Sequence, residues 1–169
     1  KMDSVLRKET GTMREIKFRA WDEKEKCWVS GFAIHQSGMF SDWAGCKKVN
    51  GQCIADANWQ YPQKIPYIKI MQYTGLKDKK GVEIYEGDIL QFEDVGEDGY
   101  EYIEGYDFTN RAVVTFEDGR FTLDKFMDTN SAVVAELNEH EETHSTILSS
   151  EVIGNIYDNP NLVGESDGH

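Results

Sequence analysis

His140, Glu141 and His144 stand in the order HEETH. Residue for residue this matches HExxH, in which two His one helical turn apart bind zinc and the Glu activates a water. The helix that carries such a site is normally apolar and buried, whereas the surrounding NEHEETHS is polar throughout. No third ligand stands out, so the segment reads as a chance match on a solvated surface. Cys27, Cys46 and Cys53, with His35, supply ligand types that zinc accepts, but no two of the cysteines form a CxxC pair. The same His and Cys residues are the raw material for a nucleophile and its base, yet no motif brings one to the other. No catalytic residue and no metal ligand is assigned.

Other chemistries fail on spacing. The acidic stretch DVGEDGYEYIEGYD at 94–107, read as a calcium loop from Asp94, puts Gly96 and Gly105 at two positions that need oxygen ligands. It reads instead as a surface loop. Gly75, Gly81 and Gly87 are too far apart for a single phosphate nest, and GxxxxGK[ST] is absent. No cofactor is expected. An odd count of 3 cysteines without a secretion signal predicts free thiols.

The elements that would position any site are mostly short strands. REIKFRAW alternates strictly, with Ile16, Phe18 and Ala20 on one side and Lys17, Arg19 and Trp21 on the other, as a half-buried strand does. Residues 22–26 form a polar turn, and 27–34 return as the second strand of a hairpin. Residues 35–64 carry Gly38, Gly45, Gly51 and Pro62 and scattered aromatics, and read as loop with short strands or a turn of helix. Residues 66–73 are rich in β-branched and aromatic residues. Residues 77–81 and 86–88 are tight turns, and 88–93 resume as a strand with Leu90 and Phe92 on one face. Residues 111–124 form the clearest hairpin: Asp118-Gly119 favours a type I′ turn, with Val114 and Phe116 across from Phe121 and Leu123. Residues 131–142 are the best helix candidate, with Ser131 as cap. Residues 151–157 are a last strand, stopped at 158–161 by turn residues. The sum is a mainly β protein, α+β at most: a small barrel with appended hairpins and one short helix.

The chain has 169 residues, 39% of them hydrophobic, which suits one domain with a real core. Residues 1–12 read as an N-terminal extension or tag remnant, and 13–165 as a single domain with a sub-division near residue 65. No apolar run approaches the roughly 20 residues that span a bilayer, and no apolar signal segment opens the chain. The expected location is the bacterial cytoplasm. Net charge is −13, divided into +6 for residues 1–81 and −19 for 82–169. So acidic a second half disfavours double-stranded nucleic acid. The two halves are suited to attract each other within a chain or between copies, or the acidic half to meet a basic partner.

Three stretches carry a family resemblance: MREIKFRAWD at 13–22, MQYTGLKDKKGVEIYEGDIL at 71–90 and VIGNIYDNPNLV at 152–163. In this order they resemble the YopX family, small proteins encoded by phages and prophages of low-GC Gram-positive bacteria. The resemblance implies a β-rich fold containing an SH3-like barrel. It implies no enzymatic activity and supplies no catalytic residue. Within these stretches Trp21, Tyr73, Tyr85 and Asp88 are the groove candidates, because small barrels bind ligands through aromatics near their loops. The competing reading places the same aromatics in the core.

The leading expectation is therefore a non-enzymatic phage accessory protein that binds another protein, of the host or of the phage. The alternative is a nucleic-acid-related role, either an acidic DNA mimic or a single-strand binder through the first half. Open strand edges and the divided charge also lead us to expect a homo-oligomer.

Overall fold

The computed structural model describes residues 15–34, 40–41, 46–49, 52–55, 66–95, 107–129, 133 and 140–163. The alternating REIKFRAW segment supplies strand β1 (Phe18–Asp22), which turns back into β2 (Cys27–Ser30). The turn between them is held by Asp22, whose carboxylate accepts the backbone N–H groups of Lys24 and Glu25, both at 2.9 Å. Further strands are β3 (Ala33–Ile34), β4 (Phe40–Ser41), β5 (Cys46–Val49) and β6 (Gln52–Ala55). The long β7 (Ile68–Lys77) and short β8 (Glu83–Tyr85) follow. The first sheet has the order β5-β6-β2-β1-β7-β8, and so takes strands from both sides of residue 65. Its β2 and β6 run parallel, with Val29 opposite Cys53.

The second sheet is built from β9 (Asp88–Val95), β10 (Asp107–Glu117), β11 (Arg120–Asp124) and β12 (Glu151–Asn155), in the order β11-β10-β9-β12. The β10 and β11 hairpin forms in the expected register, with Val114 opposite Leu123 and Phe116 opposite Phe121. Asp118 and Gly119 both take positive φ, 49° and 80°, as a type I′ turn requires. Leu90 and Phe92 share the buried face as their spacing predicts, in a core with Ile84, Ala112, Val114, Leu123 and Ile147.

The β-rich class holds, but among the described residues neither sheet closes into a barrel. The physical reason lies in what covers the second sheet. Ile147 of helix α1 (His140–Ser149) is buried in its apolar core, with Leu76 of β7 and Ile84 of β8 completing the layer. A sheet face covered by a helix and a neighbouring hairpin has no need to curl onto itself. The helix also lies later than 131–142. The two ranges share residues 140–142; of 131–139 only Val133 is described, and it is helical. HEETH thus opens α1, with His140 and His144 one turn apart. The acidic stretch expected to be a loop keeps Asp94 and Val95 in β9 and Asp107 in β10; its remainder, and most of 35–64 with His35, lie outside the described residues.

Cys27 is disulfide-bonded, which overturns the free-thiol expectation for that residue. Cys27 lies on β2, which the sheet sets directly beside β6, a neighbourhood that spacing along the chain does not show.

Asp78 ties the turn after β7 to the far end of the chain. Its carboxylate accepts the N–H groups of Lys80 and Val82, both at 2.8 Å, and of Val152 at 3.0 Å. Burial pushes the carboxyl up, but the three backbone donors outweigh it and hold it below the usual aspartate range. Asp78→Ala is expected to cost about 2–3 kcal/mol, since Val152 N–H loses its acceptor inside the structure. Because the folded value is depressed, this contribution is present above the unfolded aspartate value of about 3.9 and is lost as pH falls through the folded value. Urea midpoints measured down an acid series should therefore fall less steeply in Asp78→Asn than in the unaltered protein. Parallel curves would refute the assignment.

Candidate functional site

The three signature stretches meet at one junction between the sheets. Its centre is Asp88, the first residue of β9 and only 1% exposed. The carboxylate pairs through Oδ1 with the guanidinium of Arg19 on β1. The same oxygen accepts Nδ2 of Asn155 at 3.3 Å, and Oδ2 accepts the N–H of Tyr85 at 2.8 Å. Asn155 belongs to β12, so one side chain joins elements from the first, middle and last parts of the chain. Burial pushes the Asp88 carboxyl above its ordinary range, and the Arg19 charge and the surrounding donors pull against that.

Gly87 makes the close approach. Its φ is +79°, and a Cβ there would stand 3.2 Å from Asn155 Nδ2. Its N–H donates to Val114 O at 2.8 Å and its carbonyl accepts Ile156 N–H at 3.0 Å, so this turn is stitched to β10 and to the residue after β12. The turn that follows is fixed by Asn155: its N–H donates to Asn159 Oδ1 at 3.3 Å and its own Oδ1 accepts Tyr157 N–H at 3.1 Å.

Arg19 is the hub that the sequence reading missed. Its guanidinium lies 4.8 Å from the ring centre of Trp28 and 4.6 Å from that of Tyr85. Its Nε is buried without a hydrogen-bond partner, and the two ring faces supply cation–π attraction instead. Tyr85 packs on Tyr73 at 5.4 Å, and Lys17 stands over Tyr73 at the same distance. Tyr85 Oη donates to Glu83 at 2.9 Å, and Lys17 Nζ meets the other Glu83 oxygen at 2.5 Å. Burial, then the bond to Glu83, pushes the Tyr85 hydroxyl up to about 12. The Lys17 ammonium holds Glu83 below its ordinary range. The legible signal for Arg19 is its place between Lys17 and Trp21 on one face of the alternating strand.

Of the four groove candidates, Tyr73, Tyr85 and Asp88 are brought together. Trp21 joins them through Trp28, which it meets edge-on at 5.1 Å, and it stacks on Tyr157 at 6.5 Å. Trp21, Tyr73 and Asp88 are buried; only Tyr85 is partly open. The arrangement is a counter-ion lattice: the Asp88 oxygens are engaged by Arg19, Tyr85 and Asn155, and the residue is shut off from solvent. Among the described residues no three or more His, Cys, Asp or Glu cluster to hold a metal. No helix among them is long and apolar enough to cross a membrane.

The open feature lies beside this lattice. A cleft of about 540 Å³ is lined by the apolar Phe18, Val29, Phe32 and Ile34 and by Arg19 and Ser30. Phe18 is 39% exposed and Ile16, two residues before it, is 65% exposed.

Fold and site together define a β-rich protein whose two larger sheets meet at a buried polar centre. The chain belongs to the YopX protein family, whose model matches residues 17–164. It is also similar to protein EF1440 from Enterococcus faecalis, known from a crystal structure. The two are 28% identical over 88% of this chain and 97% of that one, with a TM-score of 0.46. No curated protein matches.

Proposed function

We propose that this chain is a non-enzymatic protein-binding module, an accessory protein of phage or prophage origin acting in the cytoplasm of the bacterial host. The observation that carries the reading is the open cleft at Phe18, Val29, Phe32 and Ile34, whose wall also carries Arg19 and Ser30, next to the exposed Ile16. Its volume falls in the range of roughly 300–1,000 Å³ that holds a small ligand or an anchoring side chain. Large apolar side chains left open to solvent, here Ile16 and Phe18, are the usual character of a docking site. The disulfide at Cys27 pulls against a reducing compartment, and thiol counting on protein taken directly from cells tests the location.

The experiment is a cross-linked pull-down from host cells, comparing the unaltered chain with Phe18→Asp. Phe18 is open enough for the substitution to leave the fold intact, which the urea midpoint verifies. A partner captured by the unaltered chain and lost with Phe18→Asp supports the reading. Equal capture by both sinks it.

A second reading rests on Glu93, Glu117, Asp118 and Asp124, all exposed on the second sheet. Such a face suits an acidic mimic of nucleic acid that occupies a basic host protein. The strand-stacking version has less to stand on, because Trp21 and Tyr73 are buried. Capture that fades steeply with salt and survives Phe18→Asp would favour the mimic.

A further inference from the structure

The disulfide at Cys27 fastens a hairpin to the cleft strand. The chain has 3 cysteines, Cys27, Cys46 and Cys53, and Cys27 is disulfide-bonded. Cys46 opens β5, and Cys53 belongs to β6. Those two strands form one antiparallel hairpin, in which Cys46 stands opposite Ala55 and Cys53 opposite Lys48. Whichever of the two is bonded to Cys27, the bond ties the β5 and β6 hairpin to β2.

Among the described residues the ladder between β6 and β2 is short. It consists of Val29 with Cys53 and Ser30 with Ile54, and it is parallel. Two parallel pairs repay little of the chain entropy spent in closing the long connection from β2 to β6. A disulfide across that connection removes much of this cost, because the unfolded chain is already closed. The same two residues line the cleft: Val29 and Ser30 stand on its wall between Arg19 and Phe32. Val29 is also buried with Ala20 and Ile68 in the small core of the first sheet, against which Phe32 packs. The contact that seats β6 on β2 is therefore also the backing of the cleft wall.

Resting on the reading of the cleft as a docking site, we infer that the Cys27 disulfide is a redox latch on that site. With the bond closed, β6 backs Val29 and Ser30, and the wall is fixed before a partner arrives. With the bond open, the hairpin hangs on the short ladder alone. A partner must then order the wall as it binds, which lowers its affinity. Opening takes a dithiol reductant. One of its thiolates attacks a sulfur of the bond and forms a mixed disulfide, releasing the other chain sulfur as a thiolate. The second thiolate of the reductant then displaces the chain sulfur still bound. Two electrons pass to the chain, its two sulfurs take up two protons, and the reductant leaves as its own disulfide. Cys27 is only 9% exposed, so the reductant gains access through opening of the short ladder.

The test is amide hydrogen exchange, read by mass spectrometry, on the oxidised chain and on the chain equilibrated with excess dithiothreitol. The oxidised, denatured chain should show one free thiol and the reduced chain three, the sequence count less the two in the bond. Exchange across β5, β6 and the Val29–Ser30 edge of β2 should quicken by about 100-fold on reduction, the size of effect expected of a disulfide that closes a loop of this kind. Exchange in the β10 and β11 hairpin should stay as it was. Cys27→Ser, without reductant, should reproduce the reduced pattern, and cross-linked capture from host cells should fall in both. Equal exchange in the two redox states, or quickening that spreads evenly over both sheets, overturns the latch. Capture that is lost with Phe18→Asp but indifferent to reduction and to Cys27→Ser overturns the regulation and leaves the docking reading standing. Capture indifferent to Phe18→Asp sinks the docking reading, while the exchange pattern still judges the latch by itself.

Discussion

Asp88→Ala is expected to lower the unfolding free energy by about 3–5 kcal/mol, the cost of leaving a buried charge without its partner. The guanidinium of Arg19 would stay pinned between Trp28 and Tyr85 with no counter-ion. Tyr85 N–H and Asn155 Nδ2 would lose their acceptor as well. Against a total stability of about 5–15 kcal/mol for a domain, this is enough to release the sheets from one another. The double variant Arg19→Leu with Asp88→Leu should cost less than Asp88→Ala alone, because it strands no charge. The pH dependence has the opposite sign to that of Asp78. The Asp88 carboxyl is raised by burial, so its contribution is fully present below the unfolded aspartate value and declines as pH rises through the folded one. Urea denaturation of the three proteins decides the matter. A loss under about 1 kcal/mol for Asp88→Ala would mean the junction does not hold the sheets.

Leu90→Ala should have an effect of the same size for a different reason. Leu90 is fully buried on the central strand of the second sheet, with Ala112 opposite on β10 and Val152 opposite on β12. Neighbours on both sides are hydrogen-bonded in place, so the cavity cannot collapse, and a loss of about 3–5 kcal/mol is expected. Phe116→Ala on the β10 and β11 hairpin is the control. Its side chain is half open, and a change within about 0.5 kcal/mol is expected. If both substitutions cost the same, the assignment of core and surface is wrong.

The signature stretch MQYTGLKDKKGVEIYEGDIL now has a physical account. Met71 lies 3.6 Å from Asn155 Nδ2 through its sulfur, Tyr73 and Tyr85 pack around Arg19, and Asp78 fastens the turn to Val152. Gly87 admits Asn155, and Asp88 neutralises Arg19. The buried polar residues of this junction join two sheets to each other, so they come from three distant segments.

Local physics made part of this legible in the residues alone. Strand alternation with period two put Leu90 and Phe92 on one buried face, and Asp118-Gly119 closed its hairpin in register, because pleat and turn depend on neighbours a few positions away. The strictly alternating REIKFRAW likewise announced a strand. That both of its faces are buried from Ala20 to Asp22 was decided only by tertiary packing. The pairing of Arg19 with Asp88, the disulfide at Cys27, and the covering of the second sheet by α1 in place of barrel closure were equally beyond local reading. Each depends on strands that are distant in sequence arriving side by side, and alternation along one strand carries no record of which strand will be its neighbour.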